Sequence, residues 1–365
     1  MVGRFERAGK YYFLNRPPRF GKSLLVSTMQ AYFEGRRDLF EGLAIERLES
    51  SREKLPVLRF DFGEALEPGE PDGMGKRGDE VGGAGGPRDC LDSVLRQVES
   101  VYGRDPKAPT PGTRLYSLIG RAHDLAGKRV VVLVDDYDAP LLAVAGDLVR
   151  LREARIALGE FYDALKACDA RVHLAFITGV TAFPQLGVSE AAGILGTINL
   201  RNISMSPEYA GVCGVTEDEL LDGMAGDVDA LVGKLGVSRG EVLERLRIRC
   251  GGYRFARVSP EVFNPSGLLG AFAGGEPGPS GQVLGVPAPL AAMMRARAWG
   301  LADLEEFEAD AFEFDVSPID GDALLPALYQ LGYLAVKSFD PLCHSYTLGI
   351  PNEGVRSALS KVLSR

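Results

Sequence analysis

"YYFLNRPPRFGKSLLVSTMQAYF" (residues 11–33) is the stretch on which the rest of the chain turns. Tyr11–Leu14 is a short aromatic and apolar run, the composition of a buried strand. From Lys22 the pattern changes: Leu24, Leu25, Met29, Tyr32 and Phe33 recur at helical spacing, and Gly35 supplies a stop. Between the two lies "RPPRFGKS" (16–23), which ends like the phosphate-binding loop G-x-x-x-x-G-K-[ST]. Gly21, Lys22 and Ser23 match, and Arg16 stands where the first glycine should be. In such a loop backbone N–H groups cradle phosphates, the lysine neutralises their charge and the hydroxyl ligates Mg²⁺. The following helix adds the positive end of its dipole. Four other Gly–Lys pairs (Gly9–Lys10, Gly75–Lys76, Gly127–Lys128, Gly233–Lys234) occur, none followed by Ser or Thr. The pair that is so followed is also the one between a strand and a helix. The plainer alternative is an ordinary helix N-terminus with Ser23 in its first turn.

Further strands alternate with helices. "PVLRFDF" (56–62) reads as a strand, helices are expected at 90–103, 113–126 and 148–168, and "VHLAFIT" (172–178) reads as another strand. "RVVVLVDDYDAP" (129–140) is a β-branched run ending in carboxylates, the pattern of a parallel strand buried on both faces. The expectation is an α/β fold: a P-loop NTPase-like parallel sheet flanked by helices, with right-handed crossovers. Residues 63–89 are rich in Gly, Pro and charge and read as a mobile surface insertion. Beyond about 205 strong strands give way to short helices, 216–225 and 238–250 among them. Thr216 is an expected N-cap, and Ser238 with Glu241 an expected capping box. A Gly/Pro-rich stretch (273–289) interrupts this half. A helix–strand–strand unit with strands 331–336 and 346–350 closes it. The expected division is an ATPase-like domain over 1–205 and a mostly helical, lid or winged-helix-like region with a C-terminal α+β unit over 206–365.

The strand ends supply the second half of the chemistry. A nucleotide-hydrolysing loop protein needs a carboxylate on a neighbouring strand to hold Mg²⁺ or its water. Asp135 would take the magnesium side together with Ser23, and Asp136 would polarise the attacking water. Thr178, ending a strand expected beside it, would sense the γ-phosphate or orient water. Strand-end turn carboxylates and a Thr-Gly turn explain the same residues without chemistry. Arg19, Arg171 and Arg201 are further arginines that could meet a phosphate, although a surface or ion-pair role explains each as well.

Composition bounds the partners. The chain has 365 residues, 45% hydrophobic and 25% charged, enough for two domains. A net charge of -9 argues against a broad basic face for nucleic acid but leaves a local groove open. Five cysteines in no C-x-x-C pair and three histidines fit neither a zinc site nor a disulfide framework. Reduced, cytoplasmic thiols are the simple reading. The start, "MVGRFERAGKYYFLNRPP" (1–18), has no apolar core of a leader, and no run of about 20 apolar residues suits a membrane span.

Seven segments, in order, carry a resemblance: "FLNRPPRFGKSLLVSTMQAYFEGRRDLFEGLAI" (13–45), "VVVLVDDYDAPLL" (130–142), "FYDALK" (161–166), "VHLAFITGVTAF" (172–183), "YAGVCGVTEDEL" (209–220), "GGYRF" (251–255) and "NPSGLL" (264–269). Together they resemble the AAA-ATPase-like family of bacteria and archaea, whose members often carry a PD-(D/E)XK-type nuclease domain after the ATPase. In that family the loop looks like R-P-R-R-F-G-K-S, so Arg16 is a family trait. The resemblance implies ATP and Mg²⁺ as ligands. It implies Arg16, Arg19, Phe20, Gly21, Lys22, Ser23 and Leu24 as the nucleotide-binding stretch, Ser23 and Asp135 at the metal, and Asp136 and Thr178 in catalysis. Pro18 departs from the usual second arginine, and Asp-Asp-Tyr-Asp replaces the usual Asp-Glu-Tyr-Asp. A misplacement of about 1 Å can cost on the order of 100-fold in rate, so binding with slow hydrolysis is expected. The usual upstream "Y-V-D-K-T" and a D…(D/E)-x-K nuclease constellation are not found. The expected role is a nucleotide-driven switch, with a protein partner or second copy left open. Its rivals are a non-hydrolysing nucleotide-binding module, a DNA-associated regulatory subunit, and a member shortened by loss of its nuclease domain.

Overall fold

The computed structural model describes residues 9–48, 53–66, 87–182, 200–274, 286–320 and 324–364. The chain divides into two compact units. The first comprises residues up to Leu14, Ser23–Gly179 and a stretch ending at Arg201. The second comprises Asn15–Lys22, a stretch beginning at Val180, and Asn202 onward.

The first unit carries a five-stranded parallel sheet in the order β2-β3-β4-β1-β5, with β1 Tyr11–Asn15, β2 Val57–Asp61, β3 Val130–Asp135, β4 Val172–Gly179 and β5 Arg201–Asn202. β3 is buried along its whole length, as its unbroken β-branched run requires. Its register sets Val57 beside Val131 and Asp61 beside Asp135 on one edge, and Val134 beside Ile177 on the other. Helices Pro87–Tyr102, Pro111–Ala126 and Leu148–Ala167 flank the sheet. Two of them begin on a proline, whose fixed φ and missing N–H suit a first helical turn. Phe161 meets the edges of Phe60 at 5.2 Å and Phe62 at 5.8 Å, which seats its helix on β2. Arg114 is buried and grips Glu99 through two bonds, Nε–Oε1 at 2.7 Å and Nη2–Oε2 at 2.8 Å, with Asp92 as a further partner. That pair ties two of the flanking helices together.

The second unit has a three-stranded antiparallel sheet in the order β8-β10-β9, from β8 Phe307–Ala309, β9 Ala335–Asp340 and β10 Ser345–Gly349. A two-stranded pair, β6 Val215–Thr216 with β7 Val262–Phe263, and helices that include Arg239–Cys250, Leu324–Gln330 and Glu353–Leu363 complete it. Two of the three strands answer to those expected at 331–336 and 346–350, β10 almost in place, and β8 adds a third that was not expected. The strand expected at 331–336 starts at Ala335 and runs on to Asp340. Gly332, at φ 83, turns the chain out of the preceding helix, so the apolar residues before Ala335 are spent on a turn. The helix expected at 216–225 is two, Glu217–Gly223 and Ala225–Leu235. Thr216 forms a reciprocal capping box with Glu219. Ser238 caps the N–H of Glu241, but the Glu241 carboxylate goes to Arg245 instead, so that box is half made. Of the expected insertion, residues 87–89 open a helix and 67–86 lie outside the described residues, as do 275–285 of the second Gly/Pro-rich stretch. No helix among the described residues is long and apolar enough to cross a membrane.

Candidate functional site

The helix Lys22–Phe33 starts on the lysine itself. Ahead of it Arg19 and Gly21 have φ 66 and φ 90, two left-handed residues with Phe20 between them. Alternation of this kind points consecutive N–H groups into a concavity that suits an anion. A Cβ on Gly21 would meet nothing within 4 Å, so the glycine serves its backbone angle and leaves open space beside it. Lys22 is buried, and its Nζ donates to the carbonyls of Arg16 at 3.2 Å and Pro17 at 3.4 Å. Among the described residues no carboxylate meets it. An ammonium held by two long bonds to neutral acceptors keeps its charge available, and open space, left-handed backbone and that ammonium fit a polyphosphate. Arg19 and Ser23 are exposed, and Leu24 is 71% exposed. The apolar face of this helix is therefore Val26, Met29, Tyr32 and Phe33, and Leu24 is not part of it.

Arg16 and Phe20 point the other way. Arg16 is 1% exposed. Its Nε donates to Val212 O (3.0 Å), Nη1 to Asn15 O and Ser204 O (both 2.9 Å), and Nη2 to Tyr209 O (3.1 Å). The guanidinium carbon sits 4.3 Å from the centre of the Phe255 ring. Its burial pushes the guanidinium below its ordinary value, partly offset by Cys213, Tyr329 and Asp315. Phe20 packs edge-on against Tyr253 (4.8 Å) and Phe255 (5.4 Å), and its carbonyl accepts from Gly214 N–H at 3.1 Å. A small cavity beside Arg16 is lined by Asn15, Ser204, Phe255, Asp315 and Gln330 among others. Oδ1 of Asn15 and Oδ1 of Asp315 are buried there with no hydrogen-bond partner among the described residues. Burial pushes the Asp315 carboxyl up to about 7 against the pull of Arg16.

The strand ends of the first unit hold the other expected residues. Asp135 is fully buried; its Oδ1 accepts the N–H of Asp136 at 3.1 Å and its Oδ2 lies 4.0 Å from Arg59. Asp136 is half-buried with φ 46, a left-handed conformation that Asp tolerates better than most residues. A Cβ on Gly63 would come within 2.7 Å of its Oδ2, so only glycine leaves this carboxylate where it is. Thr178 is buried, and its Oγ1 donates to Leu14 O at 2.7 Å, bracing β4 to β1. A γ-phosphate sensor needs that proton, so Thr178 can reach the role only by giving up the brace. Tyr137 and Asp138 shape the turn after β3: Tyr137 N–H donates to Thr178 O, and the Tyr137 ring meets Phe13 edge-on. Arg171 lies over Tyr116 at 5.7 Å and Arg201 is exposed.

Asn15–Lys22 thus carries Arg16, Arg19, Phe20, Gly21 and Lys22 in the second unit, while Ser23, Leu24, Asp135, Asp136 and Thr178 lie in the first. The surroundings of Arg16 are not evident from the sequence, because its partners are main-chain carbonyls, which carry no residue signature. The available signal was the motifs themselves: "YAGVCG" supplies the carbonyls of Tyr209 and Val212, and "GGYRF" supplies both rings against Phe20.

A parallel sheet, a strand–loop–helix with Gly-Lys-Ser and carboxylates at a neighbouring strand end define an α/β protein of the P-loop-like class. The chain belongs to the AAA-ATPase-like family, whose model, described as a predicted AAA-ATPase, matches residues 1–189. It is also similar to a protein of Azotobacter chroococcum mcd 1, described as an uncharacterized protein in the vnfD 5′ region. The identity is 32% over 363 residues, covering 97% of this chain and 63% of that protein, so the chain spans less than two thirds of this relative's length.

Proposed function

We propose that this chain binds Mg-ATP through its 16–24 loop and hydrolyses it slowly, as a nucleotide-driven switch. The observation that carries the reading is Lys22: an ammonium at a helix start, after two left-handed residues, held among the described residues by two main-chain carbonyls. Membership of a family described as a predicted AAA-ATPase supports it. Lys22 and the loop N–H groups would hold the phosphates, and Arg19 is exposed and able to add charge. Ser23 and Asp135 would hold Mg²⁺, which when bound neutralises charge between the outer phosphates. Asp136 would take the water's proton. Arg16, Phe20 and Leu24 would contribute through the loop's shape, and Thr178 by fixing the end of β4. The division at about 205 into an ATPase-like domain and a helical region belongs to the same proposal, as does a cytoplasmic setting with reduced thiols.

The second reading is a nucleotide-binding module that does not turn over, favoured by the Thr178 hydroxyl being donated to Leu14. Phosphate release under single-turnover conditions, with and without Mg²⁺ and beside Asp136→Asn, separates the two. Mg²⁺-dependent release lost in the variant supports hydrolysis. Binding with no release above background refutes it.

A further inference from the structure

The nucleotide loop is built into the core of the second unit at two points, Arg16 and Phe20. The same residue whose guanidinium is caged by the carbonyls of Ser204, Tyr209 and Val212 offers its own carbonyl to Lys22 Nζ. Four residues on, the ring of Phe20 joins Tyr253 and Phe255 in the core, and its carbonyl takes the N–H of Gly214. A triphosphate that claims Lys22 competes with Arg16 O and Pro17 O for its three N–H donors, at long bonds of 3.2 and 3.4 Å, and so pulls on the backbone of the residue that anchors the loop.

Arg16 also has a second potential acceptor beside it. Asp315 lines the same small cavity, with its Oδ1 buried and without a hydrogen-bond partner among the described residues. A guanidinium caged by neutral carbonyls has in that carboxyl a charged group lining the same cavity, close enough for each to act on the other's charge. A buried charge with two alternative partners is what a two-state coupling element would use.

We propose that the second unit reads the occupancy of the loop through Arg16 and Phe20, so that nucleotide binding changes the order of segment 203–214 and of the Tyr253–Phe255 turn, with Asp315 as the alternative partner of Arg16. The inference rests on the reading of the loop as an ATP site and names that site's regulation. Because coupling is reciprocal, alteration of the Arg16 surroundings must alter nucleotide affinity by the same factor.

The test is hydrogen–deuterium exchange of the full chain with and without saturating Mg-ATP, with calorimetry on the same sample as the record of binding. The expected result is a change in exchange of about 5-fold or more in peptides covering 203–214 and 250–264. Asp315→Asn, which leaves the phosphate-binding groups intact, is expected to bind Mg-ATP and lose that distant response. Phe255→Leu is expected to shift Mg-ATP affinity by about 5-fold or more although it touches no phosphate. Binding accompanied by changes only in peptides covering 15–24 would overturn the coupling and leave the site reading standing. Failure of the wild type to bind would overturn the site reading, and the coupling with it.

Discussion

Restoring the consensus glycine, Arg16→Gly, distinguishes this loop from a P-loop in which that position serves only backbone freedom. If it did so here, the change would be neutral or favourable. The structure requires the opposite. Four hydrogen bonds of 2.9 to 3.1 Å and the Phe255 ring face are lost together. A hydrogen bond to a charged group contributes about 1.5–3 kcal/mol, so the gross loss is about 6–12 kcal/mol. Two effects offset it. A buried guanidinium carries a desolvation cost of several kcal/mol, which the variant escapes, and water entering the vacated space satisfies part of the carbonyl set. Glycine adds about 1 kcal/mol of chain entropy to the loss. Set against the gross loss, these offsets leave a net expectation of about 3–5 kcal/mol. Trp299, the single tryptophan, packs against Phe307 in the second unit and reports the unfolding of that unit alone. With a urea slope of about 2–3 kcal/mol/M, the midpoint of the Trp299 transition falls by about 1–2.5 M. Arg16→Lys, which keeps charge but not the fork, falls in between. A midpoint within about 0.3 M of wild type at unchanged slope would refute the anchoring role of Arg16.

Three further perturbations follow from the same geometry. Gly63→Ala drives a methyl group against the Asp136 carboxylate, and is expected to lower kcat for Mg-ATP by on the order of 100-fold with KM little changed; equal loss in both would contradict it. Glu99→Ala leaves the Arg114 guanidinium buried without its bidentate partner, and should destabilise the first unit by about 3 kcal/mol, read from thermal melting by circular dichroism. The Asp315 carboxyl, faced by Arg16, Tyr329 and Tyr346, titrates near 7 in the folded chain and near about 4 when unfolded. The folded state therefore holds a proton that the unfolded state has lost, and stability falls as pH rises from about 4 to 7, by up to about 1.4 kcal/mol per pH unit. The Trp299 urea midpoint should fall between pH 5.5 and 7.5 in wild type, and less steeply in Asp315→Asn.

Most of the first unit is legible in the sequence because its signals are local. An unbroken β-branched run, a proline at a helix start and Gly-Lys-Ser between strand and helix each state their own structure. The second unit is less legible because its signals are not. Gly332 converts part of an apparent strand into a turn through one positive φ, and Glu241 abandons its capping box for Arg245. Within the site, Lys22 and the strand-end carboxylates announce their chemistry by residue type. The role of Arg16 is invisible, since carbonyl oxygens from positions nearly 200 residues away look alike in any sequence. Leu24 misleads for a related reason: helical periodicity gives the spacing of a face but not which side the neighbours cover.

The central claim is that Lys22 stands ready for phosphate, and titration of Mg-ATP into the wild-type chain and Lys22→Ala by calorimetry tests it most directly. Loss of a charge-assisted contact of about 1.5–3 kcal/mol corresponds to about 10- to 150-fold in affinity. The account predicts saturable binding to wild type and that loss in the variant, both chains giving a cooperative Trp299 unfolding transition. Equal affinity in the two, or no binding to either while both remain folded, would contradict it.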